Sequence, residues 1–270
     1  MTLVVRAATP EDHALFARFF LSFDMPDPIP DLAWWTRFSK NACFLEEDGK
    51  AVGYGLAFKV GDDGYVMHCA VDSSARNRGV GGAVMSALGK RLRDEGCSRW
   101  NLNVKEGNAP ALALYRRFGM EVEFAVSALS LPWRCVDALP SSLGVVESFE
   151  SREDREVEDC LGLDRGRVSL QRDFEDRILL RVRDGAGVAG VIGFAPRFPG
   201  AALFRARSSG HARTLFDGVR SHATHDYFRL AVEADAALAE ELIGVGATRL
   251  MSLVHMVGPI PRVDPLGQVP

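Results

Sequence analysis

On either side of Leu131-Pro-Trp-Arg-Cys-Val-Asp-Ala-Leu-Pro140-Ser-Ser-Leu-Gly144 the chain passes through the same order of elements. An internal repeat constrains the fold before any local pattern does. In the first half Cys43–Glu47, Asp48-Gly49 and Ala51–Phe58 read as a hairpin, because Asp-Gly between strand-like runs is a strong turn signal. Ile178–Val182, Asp184-Gly185 and Val188–Phe194 repeat it. Strands Tyr65–Val71 and Ala202–Arg207 follow. Trp100–Val104 leads to a helix stopped by Gly119 and a strand from Val122 to Leu131. Phe228–Val232, Gly246 and Thr248–Val257 match these in turn. The offset is 137 residues between Gly53 and Gly190 but 127 between Gly119 and Gly246, so about ten residues are missing from the middle of the second copy. The helix-opening segments from Thr9 and from Ser151 resemble each other only loosely. The expectation is two α/β domains, 1–131 and 145–270, joined by a proline-bearing linker, 132–144.

Composition narrows the function. Split at Ala138, the 32 basic and 36 acidic residues fall as 16 and 17, then 16 and 19. Neither half is a basic module, so nucleic acid is not an expected partner. Five cysteines (Cys43, Cys69, Cys97, Cys135, Cys160) form no CxxC pair. In a chain of this length that argues against a disulfide framework or zinc site, and for a reducing compartment. The N-terminal residues lack a signal-peptide pattern, and no apolar run approaches the roughly 20 residues that span a bilayer. A cytoplasmic protein with no membrane partner is expected; a homodimer is left open.

The segment lost from the second copy is the informative one. After the strand ending at Val71 comes Asp72-Ser-Ser-Ala-Arg76-Asn77-Arg78-Gly79-Val80-Gly81-Gly82, then a helix with Val80, Val84, Leu88 and Leu92 every four residues. A glycine-rich turn at a helix N-terminus presents unpaired amides and the positive end of the helix dipole to an anion. Arg76 and Arg78 add forked donors suited to phosphate. No Gly-Lys-Ser/Thr follows, so this is not a Walker loop. The plainer alternative is a strand-to-helix turn with solvated arginines.

Arg76-x-x-Gly79-x-Gly81 resembles the pyrophosphate-binding signature of the GNAT N-acetyltransferase superfamily. Asn108-Ala-Pro-Ala-Leu-Ala-Leu-Tyr115-Arg-Arg-Phe-Gly119-Met120 is similar to the family's second landmark, with Met120 in place of the usual aromatic. The resemblance covers about residues 3–130 and implies two tandem GNAT-like domains, each a mixed, mostly antiparallel sheet flanked by helices. It implies acetyl-CoA as donor and no metal. Backbone groups of Cys69, Ala70 and Val71 would hold the pantetheine arm. Amides of Arg76, Asn77, Arg78, Gly79, Val80, Gly81 and Gly82 would hold the pyrophosphate. Asn108 would bond the pantetheine, with Ala111 one turn before Tyr115 on the same helical face. The second copy, Ser208-Ser-Gly-His211-Ala-Arg213, keeps neither motif; Asp235 and Ile243 lie near the places of Asn108 and Tyr115, as in a degenerate domain.

The resemblance further implies acetyl transfer to a primary amine of a small or amino-acid-like molecule by direct attack. A protein N-terminal or lysine acetyltransferase is the alternative in the same class, and a non-catalytic acetyl-CoA-binding module the alternative outside it. Tyr115 would be the general acid. The glutamate that some members carry before the Asn motif is Asn103 here, which takes no proton at neutral pH. His68 is a candidate base by its ordinary pKa of about 6.5, or else a packed, hydrogen-bonded side chain. Glu46 and Glu47 are further candidates. Cys69 as an acyl carrier is set against Cys69 as a small buried hydrophobe. Three carboxylates and two tryptophans between Ser22 and Trp35 either hold a cationic acceptor or form a surface turn and an amphipathic helix. His222 and His225 read as a polar helix end.

Overall fold

The computed structural model describes residues 3–25, 27–142 and 144–262. The first half runs β1 (Val4–Ala7), α1 (His13–Leu21), α2 (Leu32–Phe38), β2 (Ala42–Glu47), β3 (Lys50–Val60), β4 (Asp63–Val71), α3 (Val80–Asp94), β5 (Arg99–Lys105), α4 (Ala109–Arg117) and β6 (Glu121–Pro132). After α5 (Trp133–Val136) the order returns: β7 (Val145–Glu147), α6 (Asp154–Leu161), α7 (Arg167–Arg172), β8 (Ile178–Asp184), β9 (Gly187–Ala195), β10 (Gly200–Ala206), α8 (Ser209–Arg220), β11 (Tyr227–Glu233), α9 (Ala236–Gly244) and β12 (Thr248–Pro259). The repeat read from the sequence is thus matched element for element. The helix openings that look only loosely alike in sequence also share one device: the Thr9 amide donates to the Asp12 carboxylate and the Glu150 amide to Glu153, each at 2.8 Å.

The chain forms two compact units, one of residues up to Glu123 together with those from Met256 on, the other of Phe124–His255. These do not coincide with the sequence halves, because most of β6 lies in the second unit and the end of β12 in the first. In the second unit β6 pairs antiparallel with β11, from Val126–Glu233 to Pro132–Tyr227. In the first, the end of β12 stands beside β5, and the Ile260 amide bonds the Ser98 carbonyl at 2.9 Å. Nor is 132–144 a free linker. Trp133, Val136 and Leu139 are buried in the second unit's core, and Ser142 bonds Thr214 of α8 at 2.7 Å. Leu143 lies outside the described residues.

Within the first unit strands β1 to β4 pair antiparallel, and β4 with β5 in parallel. Alternation along β3 sends Gly53 and Gly55 to one face and Tyr54 to the other. A Cβ on Gly55 would come within 2.6 Å of Val84 and 2.9 Å of Leu88, so α3 lies directly on the glycine stripe. On the opposite face Tyr54 packs against Phe16 and Phe19 of α1, while Phe16 stacks on Trp35 of α2 at 4.6 Å. The second unit repeats the antiparallel hairpins and the one parallel neighbour, β10 with β11. Among the described residues no helix is long and apolar enough to cross a membrane.

Candidate active site

In the first unit β4 and β5 pair only at Gly64–Trp100 and Tyr65–Asn101, and the ladder then stops. The two strands part, leaving a splay whose β4 edge includes Cys69, Ala70 and Val71. At its end the chain turns through Asp72, whose carboxylate takes the Ser74 amide at 3.0 Å and hydroxyl at 2.6 Å. Asn77 (φ +60°) and Gly79 (φ +83°) then take left-handed conformations. Gly79 caps α3 without a side chain, and Ala83 is the first amide bonded inside the helix, to the Gly79 carbonyl at 3.1 Å. The amides of Val80, Gly81 and Gly82 therefore belong to the turn that a helix leaves without internal partners. Gly81 is needed for a close approach as well, since a Cβ there would lie 3.2 Å from Leu114 and 3.5 Å from Val71. Arg76 is exposed; the Arg78 guanidinium donates to Glu47 at 2.6 Å.

Across this turn stands α4. Asn108 caps it, accepting the Ala111 amide at 3.3 Å. Tyr115, 7% exposed, lies beside the Cys69 thiol. Burial first, then the neighbouring thiol, pushes the Tyr115 pKa well above its usual 10. Burial likewise raises Cys69 to about 12, which withholds the thiolate that a covalent route needs.

Strand alternation leaves open which face of β4 meets which helices, and the structure answers this. His68 faces α1 and α2, among Phe16, Phe20, Phe23, Trp34 and Tyr54. Burial lowers its pKa to about 3, and Nδ1 is hydrogen-bonded to the Tyr54 hydroxyl at 3.1 Å. The other candidate bases are ion-paired, Glu46 with Arg6 and Glu47 with Arg78, each at 2.6 Å. Of the Ser22–Trp35 segment, Asp31 caps α2 through the Trp34 amide at 2.8 Å, and Trp35 is buried with Nε1 donating to the Thr9 carbonyl at 3.0 Å. Pro26 lies outside the described residues. His222 and His225 are exposed, and no group of three metal-ligating side chains occurs among the described residues.

The second unit has a splay too, since β10 and β11 pair only at Gly200–Arg229 and Ala201–Leu230. Here it is stitched shut. Arg205 donates to the Glu233 carbonyl at 2.6 Å, and Arg167 grips the Glu233 carboxylate through two bonds of 2.7 and 2.9 Å. Matching Gly53–Val71 to Gly190–Ala206 puts Arg205 at the place of Ala70. Asp235 does occupy the place of Asn108, capping α9 through the Leu238 amide at 2.9 Å. The counterpart of Tyr115, seven residues beyond the cap, is the fully buried Leu242 and not Ile243. The sequence pointed to the missing loop but not to the Arg205–Glu233–Arg167 network, since these residues come from three separate elements.

Residues 12–120 match the model of the Acetyltransferase (GNAT) family. The match to this family is confined to that segment, less than half of the chain. The chain is 29% identical over 77 residues (28% of this chain, 51% of that protein) to a Bacillus subtilis protein named for alanine N-acetylation of ribosomal protein bS18. Over 58 residues it is 45% identical to the mycothiol acetyltransferase of Corynebacterium jeikeium, covering 22% of this chain and 16% of that one. The chain thus spans about half, or less, of the length of these curated relatives. In fold it is similar to a GCN5-related N-acetyltransferase of Sphaerobacter thermophilus, with a TM-score of 0.69 over 97% of both chains and 16% identity. It is also similar to a tandem GNAT protein from the clavulanic acid biosynthesis pathway, with a TM-score of 0.62 over 97% of this chain and all of that one, and 15% identity. Both likenesses concern the fold alone.

Proposed function

We propose that the first half of this chain, whose residues 12–120 match the GNAT family model, is an acetyl-CoA-dependent N-acetyltransferase that acts on a primary amine. The observation that carries this reading is the splay between β4 and β5, whose ladder ends at Tyr65–Asn101 and whose β4 arm leads to the amides of Gly79–Gly82. The residues suit the donor: glycines where phosphates approach, an unpaired strand edge at Cys69–Val71 for the amides of the pantetheine arm, and arginines beside the turn. Bound acetyl-CoA supplies the acyl thioester.

This chain's own groups position and protonate. Backbone donors at the strand edge stabilise the oxyanion that develops in acyl transfer. Tyr115 keeps its proton at neutral pH, because burial disfavours the phenolate, and is placed to deliver it from Oη to the departing thiolate. With its pKa near 3, His68 is a poor proton acceptor, and we read it as part of an aromatic wall rather than as the base. The second half, its splay filled by Arg205 and Glu233, carries no donor site in this reading.

A small-molecule amine is the acceptor proposed. A protein N-terminus is the second reading, favoured by the likeness to the Bacillus subtilis protein. Calorimetry with acetyl-CoA, followed by thiol-release assays over amines, amino acids and short peptides, tests the proposal. Absence of binding rejects it; binding without turnover over the whole panel favours a non-catalytic acetyl-CoA-binding module.

A further inference from the structure

The segment joining α1 to α2 crosses from one arm of the first splay to the other. On the β4 side the Phe23 ring lies 5.0 Å from the His68 ring, with Phe20 at 5.8 Å. On the β5 side Lys105 Nζ donates to the carbonyls of Phe23 at 3.0 Å and Asp24 at 2.7 Å, with the Asp24 carboxylate 3.9 Å away. Between these anchors Asp24 takes φ +49°, a left-handed conformation uncommon outside glycine. Its side chain is fully exposed, so the backbone bond to Lys105, rather than side-chain packing, accompanies the strain.

The two anchors stand on the strands whose shared ladder has ended, His68 on β4 and Lys105 on β5. Where the ladder stops, this strap ties the arms together. Lys105 also accepts the Asn108 amide through its carbonyl at 2.9 Å, so the same residue starts the turn that carries α4. The second unit ties the corresponding place with different chemistry. Glu233 ends β11 as Lys105 ends β5, and it holds Arg167 at the start of α7 as Lys105 holds the strap before α2.

We propose that Lys105 is a positioning residue for the donor: it clamps the 20–24 strap to β5 and sets the opening that admits the pantetheine arm. This inference rests on the acetyl-CoA reading above. The clamp acts on the splay and not on the amides of Gly79–Gly82. It therefore separates the binding of the pantetheine arm from the binding of the phosphates.

Calorimetry on the full chain with two probes, CoA and its nucleotide fragment adenosine 3′-phosphate 5′-diphosphate, reads that separation. Lys105→Met raises the Kd for CoA about fivefold or more and leaves that of the fragment within about twofold, while Lys105→Arg stays near wild type on both. Asp24→Pro cannot adopt a positive φ. It breaks the strap at the surface with Lys105 intact and gives the same split, which keeps the test valid should Lys105→Met fold poorly. Equal weakening of both probes, or CoA binding unchanged in both variants, overturns the positioning role. A wild-type chain that binds neither probe rejects the acetyl-CoA reading and the clamp with it.

Discussion

Tyr54 and His68, on adjacent strands of the first unit, are hydrogen-bonded at 3.1 Å between the phenol oxygen and Nδ1, and both rings are buried. The pair leaves the His68 ring buried among aromatic side chains. Burial holds His68 neutral down to a pKa of about 3, against about 6.5 in an unfolded chain. Between those values the unfolded state binds more protons, so this contribution to stability is complete above pH 6.5 and lost as pH falls toward 3. The melting temperature should fall between pH 7 and 5, by up to about 1.4 kcal/mol of stability per pH unit from this group. In His68→Gln that slope should flatten; an unchanged slope would show that other groups set it.

Replacing Tyr115 by Phe removes the proton at Oη and leaves the ring in place. Turnover should fall about 100-fold, the range for a single general acid, while the Kd for CoA stays unchanged. Steady-state thiol release and calorimetry on one preparation separate the two quantities. Full activity in Tyr115→Phe at every accessible pH rules out the acid role.

Arg78 lies in the turn proposed to hold the pyrophosphate and is paired with Glu47 at 2.6 Å. Arg78→Ala should weaken CoA about tenfold at low ionic strength, and the deficit should shrink as salt screens the exposed charge. Titrations at two salt concentrations check both parts.

The Glu233 carboxylate is nearly enclosed in the second unit. Burial pushes its pKa up, but Arg167 and then Arg205 outweigh this and hold it below the usual carboxylate value. Glu233→Ala leaves two arginines facing each other and should cost about 3–5 kcal/mol, seen as a lower denaturation midpoint. Because the network fills the splay, calorimetry on the wild type should show one CoA per chain. Two equivalent sites would mean that the stitch opens.

Much of this was legible in the residues. The Asp-Gly turns, the glycine stops at Gly119 and Gly246, and the four-residue spacing from Val80 to Leu92 located the hairpins and helices, because turn chemistry and apolar periodicity act within a few residues. The Arg76–Gly82 turn was legible for the same reason. For His68 the residues left two readings, a base or a packed, hydrogen-bonded side chain, and the rings from α1 and α2 with the Tyr54 hydroxyl agree with the second. The proline-bearing 132–144 stretch misled, since Trp133, Val136 and Leu139 become core residues once α8 is there to receive them.

By itself, then, the sequence determined that the chain is a duplicated α/β protein and that one copy has kept a glycine-arginine turn. The tertiary structure alone decided how the copies are cut and which splay is bridged by side chains. The cut depends on pairing between segments more than a hundred residues apart, such as Ser98 with Ile260. Whether a splay admits a ligand depends on what faces the gap: the first has Ala70 where the second has Arg205, which reaches a carboxylate 28 residues away. Contacts at such separations are set by packing, which no local pattern records.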